Sequence, residues 1–494
     1  MKRLVAALAV YAAVLGATAL VRWHLWTYGA DTGTFAQAIA DALHGMRDGP
    51  EQGSHFRFHW APLLVVLEPL VLAARTPLVL QFAQIALVGA TAIPLYALAR
   101  RYVGDRSAGA YAMLALLYPP LTAVAFTEFH EIAFYPALAL GLVWAADARR
   151  WSFFALLALA SAGIREEACI VLALAGLGFV LIAAVAARRP RASAAAAGLL
   201  VFEPDDPRAL AVAGTGLAAA NVAALAFYFG VVVPRLGGWQ PQHFYTYSFA
   251  SGPVALVMAL AFHPQHAAVF LTFGRLTYVL EAFAPLAFLP LRSRWTWLAV
   301  PGLALVLLSS ESIAWRMGSH YAAIFAPWLL LATVAALVRF ERRRPAGGIG
   351  RAYRATVALC VVVLVFFDPM HPAHYLRAIY PTGDAERALR SVPRGASVAT
   401  HDEWYTRIAL RDPAATIFYC PYVEYAVYAR NFPGGAYRDY VLPRLERDLR
   451  DGVAWPVARF GEVVVYRRTP AAGATPRSCV RPGDRGYADL PPLR

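Results

Sequence analysis

Apolar runs of about 20 residues recur along most of this chain, and they constrain it more than any motif does, because that is the length an α-helix needs to cross bilayer hydrocarbon. They lie at 3–21, 77–99, 107–126, 132–146, 151–164, 168–187, 209–233, 267–291, 295–309, 321–338 and 355–368. Composition agrees, since 59% of the 494 residues are hydrophobic and 15% charged, against roughly half and a quarter in a soluble domain. The fold class expected is a mainly α, polytopic membrane helix bundle of about eleven crossings. Two runs, 132–146 and 151–164, are short enough to be tilted, broken or re-entrant.

Charge sorting sets the orientation. Alternate loops carry Arg100, Arg101 and Arg106, then Arg149 and Arg150, then Arg188, Arg189, Arg191 and Arg208, then Arg292 and Arg294, then six arginines from Arg339 to Arg354. Together with Lys2 and Arg3, these mark the cytoplasmic side by the positive-inside rule. All twelve histidines fall in the other loops or in the tail. Dropping either short crossing would move every later basic loop outside, against the same rule. The formal charge of +14 is therefore an orientation signal, which leaves nucleic acid without a case as partner. The chain is expected in the inner (plasma) membrane, with a cytoplasmic N-terminus and an extracytoplasmic C-terminal domain. Lys2 and Arg3 before the first run, with Ala17-Thr18-Ala19 at its end, also resemble a secretory signal peptide, but the run exceeds the usual h-region and favours an uncleaved span.

The expected domains are 1–368, a bundle with a long first outer loop at 22–76, and 369–494, an outer α/β domain. The stretch 188–208 reads as a cytoplasmic linker between two halves of the bundle. In the tail, Ser397–Thr400, Ala415–Tyr419 and Val463–Tyr466 read as strands and 440–450 as a helix. Cys420 and Cys479 would close a long loop there, worth about 4 kcal/mol as a disulfide; two free thiols are the alternative. Cys169 and Cys360 lie in apolar runs and read as core residues.

The chemistry-bearing residues gather in the outer loops. Asp31 follows the first crossing, where a carboxylate beside an apolar wall needs a partner or a task; general base and helix cap are the two readings. His55 and His59 share a face if their segment is helical, but no Glu follows the first as in zinc peptidases, so no metal ligand is assigned and a divalent cofactor has no support. Glu128, His130 and Glu131 form one outer turn, and Arg165, Glu166 and Glu167 the next, either as a functional cluster or as structural ion pairs. Arg235, His243, Tyr245, Tyr247, His263, His266 and Glu311 line later loops, the aromatics reading as an interface belt. Arg316, His320 and Tyr321 stand before the tenth crossing, where a guanidinium suits phosphate oxygens.

The order of these elements resembles a family of predicted multi-spanning prokaryotic membrane proteins of unknown function, within the wider glycosyltransferase C superfamily of polyprenyl-phosphate-sugar-dependent enzymes. The matching stretches are Asp31 through Ala40, Ser54-His55 with His59 and Pro62, Gln81, Glu128-Phe129-His130-Glu131, Arg165-Glu166-Glu167, Ser319-His320-Tyr321 and Val392 through Val398. That resemblance implies a catalytic carboxylate in the first outer loop, matched by Asp31, acting in sugar transfer from a polyprenyl-phosphate donor at the membrane. The superfamily's paired acidic motif is broken, since Thr32 follows Asp31, which argues against a metal-dependent version. In the transferase expected, Asp31 takes the acceptor proton, Arg165, Arg316 and His320 neutralise the leaving phosphate, and His55, His59, Glu128 and Glu131 position sugar or acceptor. The alternatives are a transporter or flippase for a lipid-linked sugar, which would place its ionisable groups near the bilayer midplane, and a non-catalytic scaffold of the cell envelope.

Overall fold

The computed structural model describes residues 2–51, 53–188, 198–202, 204–236, 247, 249–250, 253–343, 350–367, 375–377, 382–430, 432 and 437–475. The chain divides into two compact units, one formed by 1–16, 58–63 and 82–371 and the other by 17–57, 64–81 and 372–494. Most of the first outer loop, expected with the bundle, thus shares a unit with the tail.

Among the described residues, four helices are long and apolar enough to cross a membrane: Lys2–Leu25, Leu78–Ala99, Glu166–Ala187 and Pro207–Leu236. Asp105–Leu117 and Pro119–Phe126 make a fifth if they are one span bent by 53°. The bend falls at Tyr118, which is extended (φ −72°, ψ 113°), because Pro119 disfavours helical geometry in the residue before it. The other expected crossings are helical but shorter or interrupted. Stretch 267–291, for instance, breaks into 3-10 and α turns around Pro285 and Pro290, as rings without an N–H require.

In the first unit, Glu166–Ala187 packs against Pro207–Phe227 with almost no side-chain spacer. A Cβ on Gly176 would stand 2.5 Å from the Gly214 carbonyl oxygen, so glycine at both positions is what lets the backbones touch. The opposite stripe of Glu166–Ala187, made by Leu174, Leu177, Leu181 and Val185, is exposed; an apolar row of that length suits hydrocarbon as solvent. Two acids, one buried and one half-buried, pin the basic loops. Asp147 accepts from Arg101 Nε at 2.5 Å, from the Leu199 amide at 2.7 Å and from the Tyr102 hydroxyl. Glu341 accepts from the Ser107 hydroxyl at 2.6 Å and from that of Tyr111.

The second unit is built on a four-stranded sheet in the order β3–β4–β6–β5, with β3 Val398–Thr400, β4 Tyr425–Ala429, β5 Ala454–Phe460 and β6 Val463–Arg468; the small pair β1 Arg47–Asp48 and β2 Gly53–Ser54 lies in the first loop. β3 and β4 are parallel, which demands a crossover; the Asp402–Ile408 helix and the turns after it supply one. The expected strand at 415–419 is a correction. It meets β3 through one bridge, Ala399 to Thr416, while β4, which pairs with β3 on one edge and β6 on the other, went unforeseen. The helix expected at 440–450 is Leu442–Arg450, and Val463–Tyr466 opens β6. Cys420 is disulfide-bonded, whereas Cys169 and Cys360 are free and buried; Cys479, His371, His374 and residues 189–197 and 203 of linker 188–208 lie outside the described residues.

The helix Ala30–Ala40 joins this unit by close packing on Asp402–Ile408. A Cβ on Gly33 would come within 2.9 Å of the Thr406 Cα and 2.7 Å of the Tyr405 ring. Buried Gln37 then accepts from the Tyr405 hydroxyl at 2.7 Å and donates to the Ala409 carbonyl at 2.8 Å.

Candidate active site

In the first unit the turns between apolar helices converge on Arg165, the N-cap residue of Glu166–Ala187. Its guanidinium lies 2.7 Å from Glu167, 3.0 Å from Glu131 and 3.9 Å from Glu166. Burial by itself would lower the arginine's pKa, yet Glu167, Glu131 and Glu166 outweigh it and drive it well above the ordinary value. Glu166 also holds the segment at 59–60, taking His59 Nδ1 at 2.8 Å and the Trp60 amide at 2.9 Å. Three carboxylates on one guanidinium leave a surplus of negative charge.

Glu131 is 1% exposed, and among the described residues its two oxygens accept no hydrogen bond, Arg165 lying close but out of line. His130 and His320 stack with ring centroids 3.4 Å apart, and Tyr321 leans on His320 at 4.1 Å. Burial, then the charges of His130, Arg165 and His59, push His320 well below the usual imidazole range, so it is neutral at pH 7. Its Nε2 is buried and, among the described residues, without a hydrogen-bond partner. Gln84 sets the Glu128 turn by donating to the Thr127 and Glu128 carbonyls at 3.0 and 2.9 Å and accepting from the His130 amide at 2.9 Å. Open acceptor and imidazole groups in a dry cluster are costly unless a ligand completes them.

Asp31 and His55 belong to the other unit. Asp31 is not a cap, since Gly29 is the N-cap of Ala30–Ala40 and Asp31 stands in the first turn, where the helix dipole favours its charge. Its neighbour is Asp402, which sequence reasoning passed over. Asp402 is exposed by its accessible surface, yet the protein packed around it, and then the Asp31 charge, raise its pKa to about 6. Asp402 therefore keeps its proton up to about pH 6. His55 does not share a face with His59. It lies in a 3-10 turn, with Nδ1 2.7 Å from Glu51 and its ring edge-on to Phe35. Asp48, Glu51 and His55 are all buried, with donor atoms within 4.8 Å of one another, an oxygen and nitrogen set that would suit a divalent cation. The Glu51 amide donates to Asp48 at 2.6 Å, so the same residues also fasten the loop.

Arg316 is exposed, its nearest recorded side-chain contact being Ser312 Oγ at 3.4 Å. Arg235, His263, His266 and Glu311 lie on the same unit, and His243 and Tyr245 fall outside the described residues.

A family model described as "Predicted membrane protein (DUF2079)" matches residues 21–429. No curated protein matches. Among solved structures, the chain is similar to ArnT from Cupriavidus metallidurans bound to undecaprenyl phosphate, at 14% identity and a TM-score of 0.47, covering 94% of this chain and 99% of that one. It is also similar to the oligosaccharyltransferase AglB from Archaeoglobus fulgidus in complex with an inhibitory peptide and a dolichol-phosphate, at 15% identity and a TM-score of 0.42, covering 86% and 70%.

Proposed function

The chain belongs to the DUF2079 family of predicted membrane proteins, and from that premise we propose that it is a membrane glycosyltransferase that moves a sugar from a polyprenyl-phosphate donor to an acceptor hydroxyl at the extracytoplasmic face. The observation that carries the reading is the cluster around Arg165. Its buried Glu131 oxygens and His320 Nε2 want hydrogen-bond partners, and sugar hydroxyls, which both donate and accept, are suited to them. A midplane transport site is less well matched, because these groups sit in turns between helices.

The acceptor oxygen forms a bond to the anomeric carbon as the bond from that carbon to the phosphate oxygen breaks. The polyprenyl phosphate leaves with the electron pair, and Asp31 takes the acceptor proton. Arg316, exposed and without a recorded acid partner among the described residues, neutralises the departing phosphate. Arg165 is better suited to holding the carboxylates than to meeting phosphate, since three of them already surround it. Glu128, Glu131, Glu166, Glu167, His59, His130, His320 and Tyr321 bind and orient the sugar.

The test is transfer by the purified, lipid-reconstituted protein from a radiolabelled polyprenyl-phosphate sugar pool. Asp31→Asn is expected to lower turnover by about 10²–10⁴-fold with normal folding. A folded Asp31→Asn protein working at the wild-type rate sinks the base assignment. A deletion strain with unchanged lipid-linked sugars and surface glycans sinks the transferase reading altogether.

A further inference from the structure

Within the second unit a recess of about 1190 Å³ opens beside the end of the first apolar helix. Its lining carries five arginines, Arg75, Arg390, Arg394, Arg407 and Arg411, against one carboxylate, Glu386. Two of the five are neutralised locally, Arg390 by Glu386 at 2.5 Å and Arg411 by the adjoining Asp412. Arg407 is fixed as part of the wall, its guanidinium 4.0 Å over the Trp23 ring and 4.7 Å from that of Trp26. Arg75 and Arg394 are exposed, and no carboxylate is recorded within 4.0 Å of either among the described residues. Arg75 also sits in the left-handed region, φ 52°, at the C-cap of Glu68–Ala74, a conformation that costs energy for a residue with a Cβ. A surplus of cations, one of them on a strained backbone, is gathered in one concavity.

Where that concavity lies says what it meets. Trp23 and Trp26 stand at the end of Lys2–Leu25, a helix apolar enough to span a bilayer, and tryptophan at a span end is the signature of the headgroup layer. The segment leading to Arg75 exposes Val65, Val66, Leu70 and Leu72, an apolar edge that a lipid surface would cover. Charge, aromatic belt and apolar edge thus occur together at headgroup depth. We infer that this recess binds the phosphate of an anionic membrane phospholipid, with Arg75 and Arg394 as its ligands and Arg407 on the tryptophans as its floor, seating the outer unit on the membrane. This does not depend on the transferase reading.

The full-length protein in neutral detergent would be titrated with short-chain phosphatidylglycerol, short-chain phosphatidylcholine and inorganic phosphate, with binding followed by calorimetry and native mass spectrometry. Phosphatidylglycerol is expected to bind, and phosphatidylcholine and inorganic phosphate to bind at least about tenfold more weakly. An Arg75→Gln/Arg394→Gln double variant, altered only at exposed positions, is expected to lose about tenfold or more in phosphatidylglycerol affinity with an unchanged melting temperature, whereas Arg100→Gln/Arg149→Gln keeps it. Equal binding of phosphatidylcholine would overturn the inference by showing a merely apolar site. Equal binding of inorganic phosphate would reduce it to a general anion site, and wild-type affinity in the Arg75/Arg394 variant would dismiss these residues. No transferase assay enters the comparison, so its failure leaves the proposed reaction untouched.

Discussion

Arg165 meets Glu131, Glu166 and Glu167 in a setting with little water. Removing one partner from such a set leaves charges buried without compensation, so Arg165→Ala is expected to destabilise the protein by about 3–5 kcal/mol, read as a lowered unfolding temperature in detergent; Glu131→Gln, which keeps the shape and removes a charge from the surplus, should cost much less. Asp402 offers a second residue-scale test. Its folded pKa, about 6, stands above the ordinary carboxyl value of 3.8, so the folded state binds the extra proton between those pH values and stability from this group falls as pH rises from about 4 to about 6. Asp402→Asn should flatten that part of the melting-temperature profile, and an unchanged slope would show that another group carries it. The Asp31 position was legible because an acid beside a span is rare; Asp402 was not, since its raised proton affinity comes first from the protein packed around it and then from Asp31, 371 positions away in sequence, both brought close by the fold. His401 makes the same point in reverse. It looked like one more polar tail residue, yet its ring stacks on Phe432 at 3.3 Å among Trp404, Tyr428 and Tyr437, its Nε2 accepts from the Ala429 amide, and burial holds its pKa down at about 2.

Elements are where small residues and prolines decide. Gly33 lets Ala30–Ala40 rest against Thr406 and Tyr405, so Gly33→Val should separate the two helices and lower stability by about 1–3 kcal/mol, as overpacking usually does; limited proteolysis of the first loop is the measurement, and unaltered cleavage would show that the contact is soft. Asp147→Ala should leave the Tyr102 hydroxyl and the Leu199 amide without their buried acceptor, costing about 1–3 kcal/mol. A short continuous apolar run marked β6, and its Val463, Val464 and Val465 are all buried. The same signal failed at 415–419, whose bulky residues fill the core as a turn-rich crossover between Pro413 and Pro421, and it missed β4, where Tyr425, Tyr428 and two alanines look unremarkable until both neighbouring strands are in place.

At the scale of the whole molecule, orientation is the first thing to measure. On intact cells, a membrane-impermeant maleimide should label Arg316→Cys and spare Arg101→Cys until lysis; the reverse pattern would turn the proposed topology over. The sequence by itself determined that this is a many-helix membrane chain with its arginines sorted from its histidines, because hydrophobic length and charge placement are local properties that a bilayer reads directly. Tertiary structure decided what those polar residues became. It gathered Glu131, Arg165, Glu166 and His59 from three separate turns, sent His55 to Glu51 rather than toward His59, and set Asp402 beside Asp31. Burial and proximity across long sequence separations shift charge and leave hydrogen bonds open, and neither can be read from a residue's neighbours in the chain.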